Sequence, residues 1–204
     1  MKNLVNGILL LAVLAAQLGA QTAQPAPAQG SGVGISTNKP KCGMHYGRSH
    51  AFLFCAPSGW TLDNSTSYMD GVFASLYQEG SSWESAKQSG TLMYITTFDK
   101  PNDKYTIAKA MAFDAKDTKK SEKSVVVKQA DPINLDDLSA PVQLFAPGPF
   151  NRFEAVAYID SPKVIITFSM TSKDEDAFKR DYPAFVQFVQ SYKFMSSNVT
   201  VQYK

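Results

Sequence analysis

Every cysteine and histidine of the chain falls in one short stretch: Cys42, His45, His50 and Cys55. Two thiolates and two imidazoles are a donor set that suits a tetrahedral zinc ion. The spacing, C-x2-H-x4-H-x4-C, matches no specific zinc pattern. In an oxidising compartment the same two cysteines join instead. A Cys42–Cys55 bridge would close a short loop and contribute about 3 kcal/mol in the chain-entropy account. It would leave His45 and His50 as loop and strand-edge residues, available to a metal only if the disulfide is absent. The structural disulfide is the expectation. A metal- or thiol-dependent enzyme centred on these four residues is the alternative.

The N-terminus supplies the compartment. Lys2 precedes an apolar run from Leu4 to Leu14, and Leu18-Gly19-Ala20 ends in a small residue before Gln21. This is the layout of a secretory signal over residues 1–20. The apolar run is shorter than the roughly 20 residues of a membrane span, so an uncleaved anchor is the lesser alternative. Residues 21–40, QTAQPAPAQGSGVGISTNKP, carry no large apolar side chain beyond isolated Val33 and Ile35. Such a segment buries too little to offset its ordering entropy and reads as a flexible leader. One domain over 41–195 and a tail over 196–204 complete the expected organisation. An extracytoplasmic location, periplasmic or secreted, follows.

Other chemistry is sparse. The formal charge is +2 at pH 7, without the basic footprint of a nucleic-acid binder. The lysines between Lys116 and Lys128 are mixed with Asp117 and Glu122 and read as a solvated face. The chain has no Gly-x-Ser-x-Gly elbow and no EF-hand loop, P-loop or dinucleotide fingerprint. The adjacent acids Asp136-Asp137 and Asp174-Glu175-Asp176 read as solvated or helix-capping groups, and no cofactor is expected. Aromatic loops are the better lead. Trp83 lies in a polar stretch, EGSSWESAKQSG, as either a partner contact or a lid on the sheet. The stiff turn from Phe145 to Arg152 presents Phe150 and Arg152 as further contacts, or buries Phe150. Trp60 reads as core. Asn64-Ser65-Thr66 and Asn198-Val199-Thr200 fit the glycan acceptor pattern.

These residues need a scaffold, and its elements are legible in part. HAFLFCAP (50–57) reads as a strand stopped by Pro57-Ser58-Gly59, followed by strands over 72–78 and 91–98. Asn102 or Asp103 is placed to cap a helix carrying Ile107, Met111 and Ala115. SVVVK (124–128) and 142–145 follow as short strands. Two apolar runs, 154–159 and 164–171, flank Asp160-Ser161-Pro162-Lys163 and predict a hairpin. Phe178, Tyr182, Phe185, Val189 and Tyr192 share one helical face, with Ser172 and Glu175 at capping-box spacing. Pro183 predicts a kink there, or a second helix capped by Asp181. The sum is an α+β fold: an antiparallel sheet with helices packed on it.

Two end segments carry a family resemblance. FLFCAPSGWTL (52–62) is a strand running into a Pro-x-Gly-Trp turn, and FKRDYPAFVQFVQSYKF (178–194) is a terminal helix entering a short strand. Together with the hairpin before that helix they resemble the PsbP/Mog1-like proteins. The resemblance implies a central antiparallel sheet flanked by helices, an α/β/α sandwich. It also implies a non-catalytic scaffold that presents loops to a protein partner in the envelope or outside the cell. A small-ligand carrier with a pocket between sheet and helix is a further alternative. No stable membrane insertion is expected after signal cleavage.

Overall fold

The computed structural model describes residues 41–47, 50–64, 72–121, 123–147 and 152–197. The expected export signal and leader, Phe150 and the Asn198 acceptor triplet lie outside them, as do Ser65 and Thr66 of the other triplet. Ten strands and three helices follow in the order β1 (Cys42–Gly47), β2 (His50–Cys55), β3 (Trp60–Asp63), β4 (Ala74–Gln78), α1 (Trp83–Ser89), β5 (Thr91–Asp99), α2 (Ile107–Ser121), β6 (Val126–Asn134), β7 (Ser139–Ala146), β8 (Phe153–Asp160), β9 (Val164–Ser172), α3 (Glu175–Gln190) and β10 (Lys193–Ser196). They build two antiparallel sheets where one was expected. The larger runs β3-β4-β5-β9-β8-β7-β6, and the smaller β1-β2-β10.

The predicted hairpin is the centre of the larger sheet. β9 pairs with β8 on one side and β5 on the other, and all nine of its residues are buried. Alternation sorts its side chains. Val164, Ile166, Phe168 and Met170 join the core under α3, which also takes Phe185, Phe188 and Val189. Ile165 faces the other way, with Val156, Tyr158 and Phe145, and packs against Ala110 and Met111 of α2. Helices therefore pack on both faces of this sheet.

Several element boundaries depart from the expectation. The cap of α3 is Asp174, whose carboxylate accepts from the Asp176 and Ala177 amides. Ser172 bonds the backbone of Asp174 instead. α3 is one continuous helix through Pro183. Pro183 is exposed, so the carbonyl one turn back that loses its donor faces solvent. Asp181 caps nothing: it is buried, and its carboxylate accepts from Gln78 and from the Arg180 guanidinium at 3.0–3.3 Å. Thr106, just before α2, accepts from the Lys109 amide, while Asn102 closes a turn with the Lys104 amide.

The Pro-Ser-Gly-Trp junction behaves as its chemistry dictates. The Trp60 amide donates to the Pro57 carbonyl at 3.2 Å. Gly59 takes φ of 80°, the conformation this turn demands and other residues resist. The chain then enters β3 with Trp60 buried.

Candidate functional site

The cluster around Cys42 does not form a four-ligand site. Cys42 and Cys55 are joined in a disulfide across directly paired positions of β1 and β2. The bridge consumes both thiolates that the metal or thiol reading required. The histidines lie on the other face of the same sheet. In β1 the exposed positions are 42, 44 and 46, and His45 points inward with Gly43 and Gly47. In β2 His50 and Phe52 are inward, opposite in direction to Cys55. Separations of three and five residues are odd, so each histidine faces away from the sulfur on its own strand.

The inward pair is an aromatic stack. The His45 ring lies 3.9 Å from the Phe73 ring, 5.2 Å from Phe52 and 5.1 Å from His50, centroid to centroid. Gly47, paired with His50, makes room for it: a Cβ there would come within 2.0 Å of the imidazole. Burial first, and the neighbouring His50 second, lower the His45 pKa from 6.5 to about 4. The folded state thus prefers neutral His45. That stability is fully present above pH 6.5 and is lost as pH falls towards 4. After allowance for partial solvent screening we expect about 1–2 kcal/mol less stability at pH 4 than at pH 7 from this residue. Urea unfolding across that range checks it: His45→Gln should flatten the dependence, and an unchanged slope would refute the assignment.

Trp83 is the first residue of α1, not part of a loop. Ser82 caps that helix, its hydroxyl accepting from the Ser85 amide at 3.3 Å. Trp83 is half-buried, and Lys87, one turn on, holds its ammonium 5.5 Å from the indole centroid. Such a contact is worth about 0.5–1 kcal/mol at an exposed site. Arg152 donates from Nη2 to the Lys87 carbonyl at 2.7 Å. It thereby satisfies one of the free carbonyls at the end of α1. The structure thus brings Trp83 and Arg152 together around Lys87, although 69 positions of sequence separate them. Phe150 lies outside the described residues.

The next residue, Phe153, lines a groove that no sequence pattern marked. The groove encloses about 780 Å³ between α3 and strands β6 and β7. Its walls include Phe178, Tyr182 and Val186 from α3 and Ala130, Ile133 and Leu144 from the sheet. The α3 residues recur at spacings of four, one side of the helix. The sheet residues share the face that β6–β7 pairing assigns them, Ala130 opposite Val142 and Ile133 opposite Ala140. A shift of register between Ala130 and Ile133 bends β6 beside the groove. Lys179 and Glu175 pair at 2.7 Å on the rim, and Gln190 bonds the Asn134 carbonyl at one end. The volume suits a compact apolar ligand or a few partner side chains.

The opposite face of the sheet holds polar pairs that sequence reasoning missed. The Tyr94 hydroxyl donates to Glu154 at 2.9 Å, and the Tyr158 hydroxyl lies 2.8 Å from Asp114 and 3.2 Å from Gln143. Burial, then the facing carboxylates, push both phenols far above the usual tyrosine range. Burial also raises Asp114. The two phenols are donors held in place by packing, and their partners lie 15 to 60 positions away in sequence. Among the described residues no group of three or more His, Cys, Asp or Glu is placed to hold a metal ion.

The architecture has a counterpart among solved structures. The solution structure of cyanobacterial PsbP (CyanoP) from Synechocystis sp. PCC 6803 is similar with a TM-score of 0.52, at 12% identity, over 80% of this chain and 98% of that one. The chain has the PsbP/Mog1-like fold. Two further structures are more distant. Ran-binding Mog1p of Saccharomyces cerevisiae is similar with a TM-score of 0.47 at 10% identity, over 76% of this chain and 95% of that one. LpqN, involved in cell envelope biogenesis of Mycobacterium tuberculosis, has a TM-score of 0.47 at 10% identity, over 78% of this chain and 87% of that one. No protein-family model and no curated sequence matches the chain. At such identities the PsbP/Mog1-like likeness concerns the fold alone.

Proposed function

We propose that the protein is an exported, non-catalytic binding or assembly module. Its central sheet carries helices on both faces, and its partner is a protein of the envelope or the extracellular space. The groove between α3 and β6–β7 carries this reading. Phe178, Tyr182 and Val186 stay only partly buried along its wall, so apolar surface is left that the described residues do not cover. The Trp83–Lys87–Arg152 patch meets the groove at the start of β8, through Arg152 and Phe153. An aromatic and an arginine beside an apolar groove are the residue types that dominate binding energy at protein interfaces. The disulfide supports an oxidising destination.

A second reading is a carrier of a small apolar ligand, favoured by the enclosed volume of the groove. One experiment separates them. A photo-crosslinker placed at Tyr182, in protein expressed in its own envelope, should capture a discrete protein. The recovered protein, by native mass spectrometry, should carry no added small mass. A co-purifying apolar molecule with no protein adduct would favour the carrier. Neither product would refute both.

For the patch, Trp83→Ala should lower the yield of the same adduct about tenfold, the effect of about 1.4 kcal/mol at a binding hot spot. The thermal midpoint should move by no more than a few degrees. An unaltered yield would remove Trp83 from the interface.

A further inference from the structure

Among the described residues, the outward side of α2 combines an exposed large aromatic with a cluster of like charges. Ala110 and Met111 are buried against the sheet, and Asp114 is turned to Tyr158. The opposite side carries Lys109, Phe113, Lys116 and Lys120 at alternating spacings of four and three, one stripe on the helix. Phe113 is 59% exposed. Lys119 lies beside the stripe, and Lys104 and Lys123 flank the two ends of the helix. Lys116, Lys119 and Lys120 make no ion pair among the described residues. Asp117 is the one acid left beside the stripe within α2.

We propose that this face docks onto an anionic membrane surface. The sequence reading as a solvated face counted Lys116 to Lys128 as one mixed stretch. The fold separates them: Lys128 lies in β6, and Phe113 joins the helical lysines. A stripe of like charges around an exposed aromatic matches a plane of lipid phosphates. Lysine ammonium groups on flexible stems reach such a plane while the Phe113 ring enters the boundary of the acyl region. Each lysine near an anionic leaflet is worth about 1 kcal/mol, an attraction that falls off within a Debye length. Neither Phe113 nor the lysines of this face line the groove, so one molecule can hold a partner there and a membrane at once.

Vesicle partitioning tests this with the full chain. The protein should associate with vesicles of phosphatidylcholine and phosphatidylglycerol at 7:3, far less with pure phosphatidylcholine, and less in 300 mM than in 50 mM NaCl (about these values, to change screening). The combined Lys116→Gln, Lys119→Gln, Lys120→Gln variant should lose about a hundredfold in partition coefficient, and Phe113→Ala several-fold. To localise contact to α2, Phe113→Trp should show blue-shifted emission and quenching by brominated lipid beyond the wild-type signal. Binding that ignores lipid charge, binding unchanged in both variants, or a Phe113→Trp signal no different from wild type would each overturn the proposal. So would an absence of vesicle binding with α2 crosslinked to an acidic protein instead.

Discussion

Phe188→Ala should cost about 3–5 kcal/mol of stability, the largest loss expected of any single substitution considered. Phe188 is fully buried on α3 and touches both sheets. Its ring stands 4.8 Å from Phe168 of β9, edge-on, and 6.3 Å from Phe54 of β2. Truncation removes the transfer energy of a phenyl group and leaves a cavity where α3 contacts both the larger sheet and the smaller. Rigid strands on two sides limit how far the site can collapse, which favours the upper part of the range. Urea unfolding should show a lower midpoint with an unchanged slope. A second expectation follows from position: amide exchange in β1, β2 and β10 should rise more than in β5 and β9, because the small sheet has fewer other attachments. A loss below about 1.5 kcal/mol, well short of the range for a buried aromatic, would mean that α3 does not hold the sheets together through this ring.

Loss of the Cys42–Cys55 bridge should cost about 3 kcal/mol, the entropy regained by freeing a loop of this size in the unfolded chain. The sequence separation of the two cysteines is 13. The double variant Cys42→Ser, Cys55→Ser should therefore unfold at a lower denaturant concentration than the oxidised protein. Reduction of the wild type should reproduce the shift. The effect should concentrate on β1, which among the described strands pairs only with β2. With β1 loosened, His45 loses its seat against Phe73, so the acid sensitivity described above should weaken together with the disulfide. Intact mass offers the direct check: protein recovered from its native compartment should be two hydrogens lighter than its reduced form. A fully reduced pair in that material, with zinc bound mole for mole, would end the disulfide reading and revive the metal one.

What could be read in advance was whatever depends on neighbours in sequence. The β8–β9 hairpin was legible because Asp160-Ser161-Pro162-Lys163 separates two apolar runs, and turn chemistry needs no distant partner. The amphipathic face of α3 was legible because its period is local, although its cap was misplaced by two positions: Ser172 takes the Asp174 amide, and Asp174 takes the first free amides of the helix. β1 was not legible. CGMHYG is short and holds two glycines, and it becomes a strand by pairing with β2. α1 escaped notice because only Ala86 among its seven residues is buried, too few for a period to show.

The sites divide in the same way. That the two cysteines would pair was expected from their number and the expected compartment, and the bridge is present. The odd spacings that part His45 from Cys42 and His50 from Cys55 were also present in the chain, but they separate faces only once both segments are strands. The groove, the meeting of Arg152 with Lys87 and the outward placement of Phe113 belong to the tertiary structure alone. Side-chain direction repeats every two or 3.6 residues and can be counted along a sequence. Which strand lies beside which, in what register and under which helix, depends on burial summed over the whole molecule.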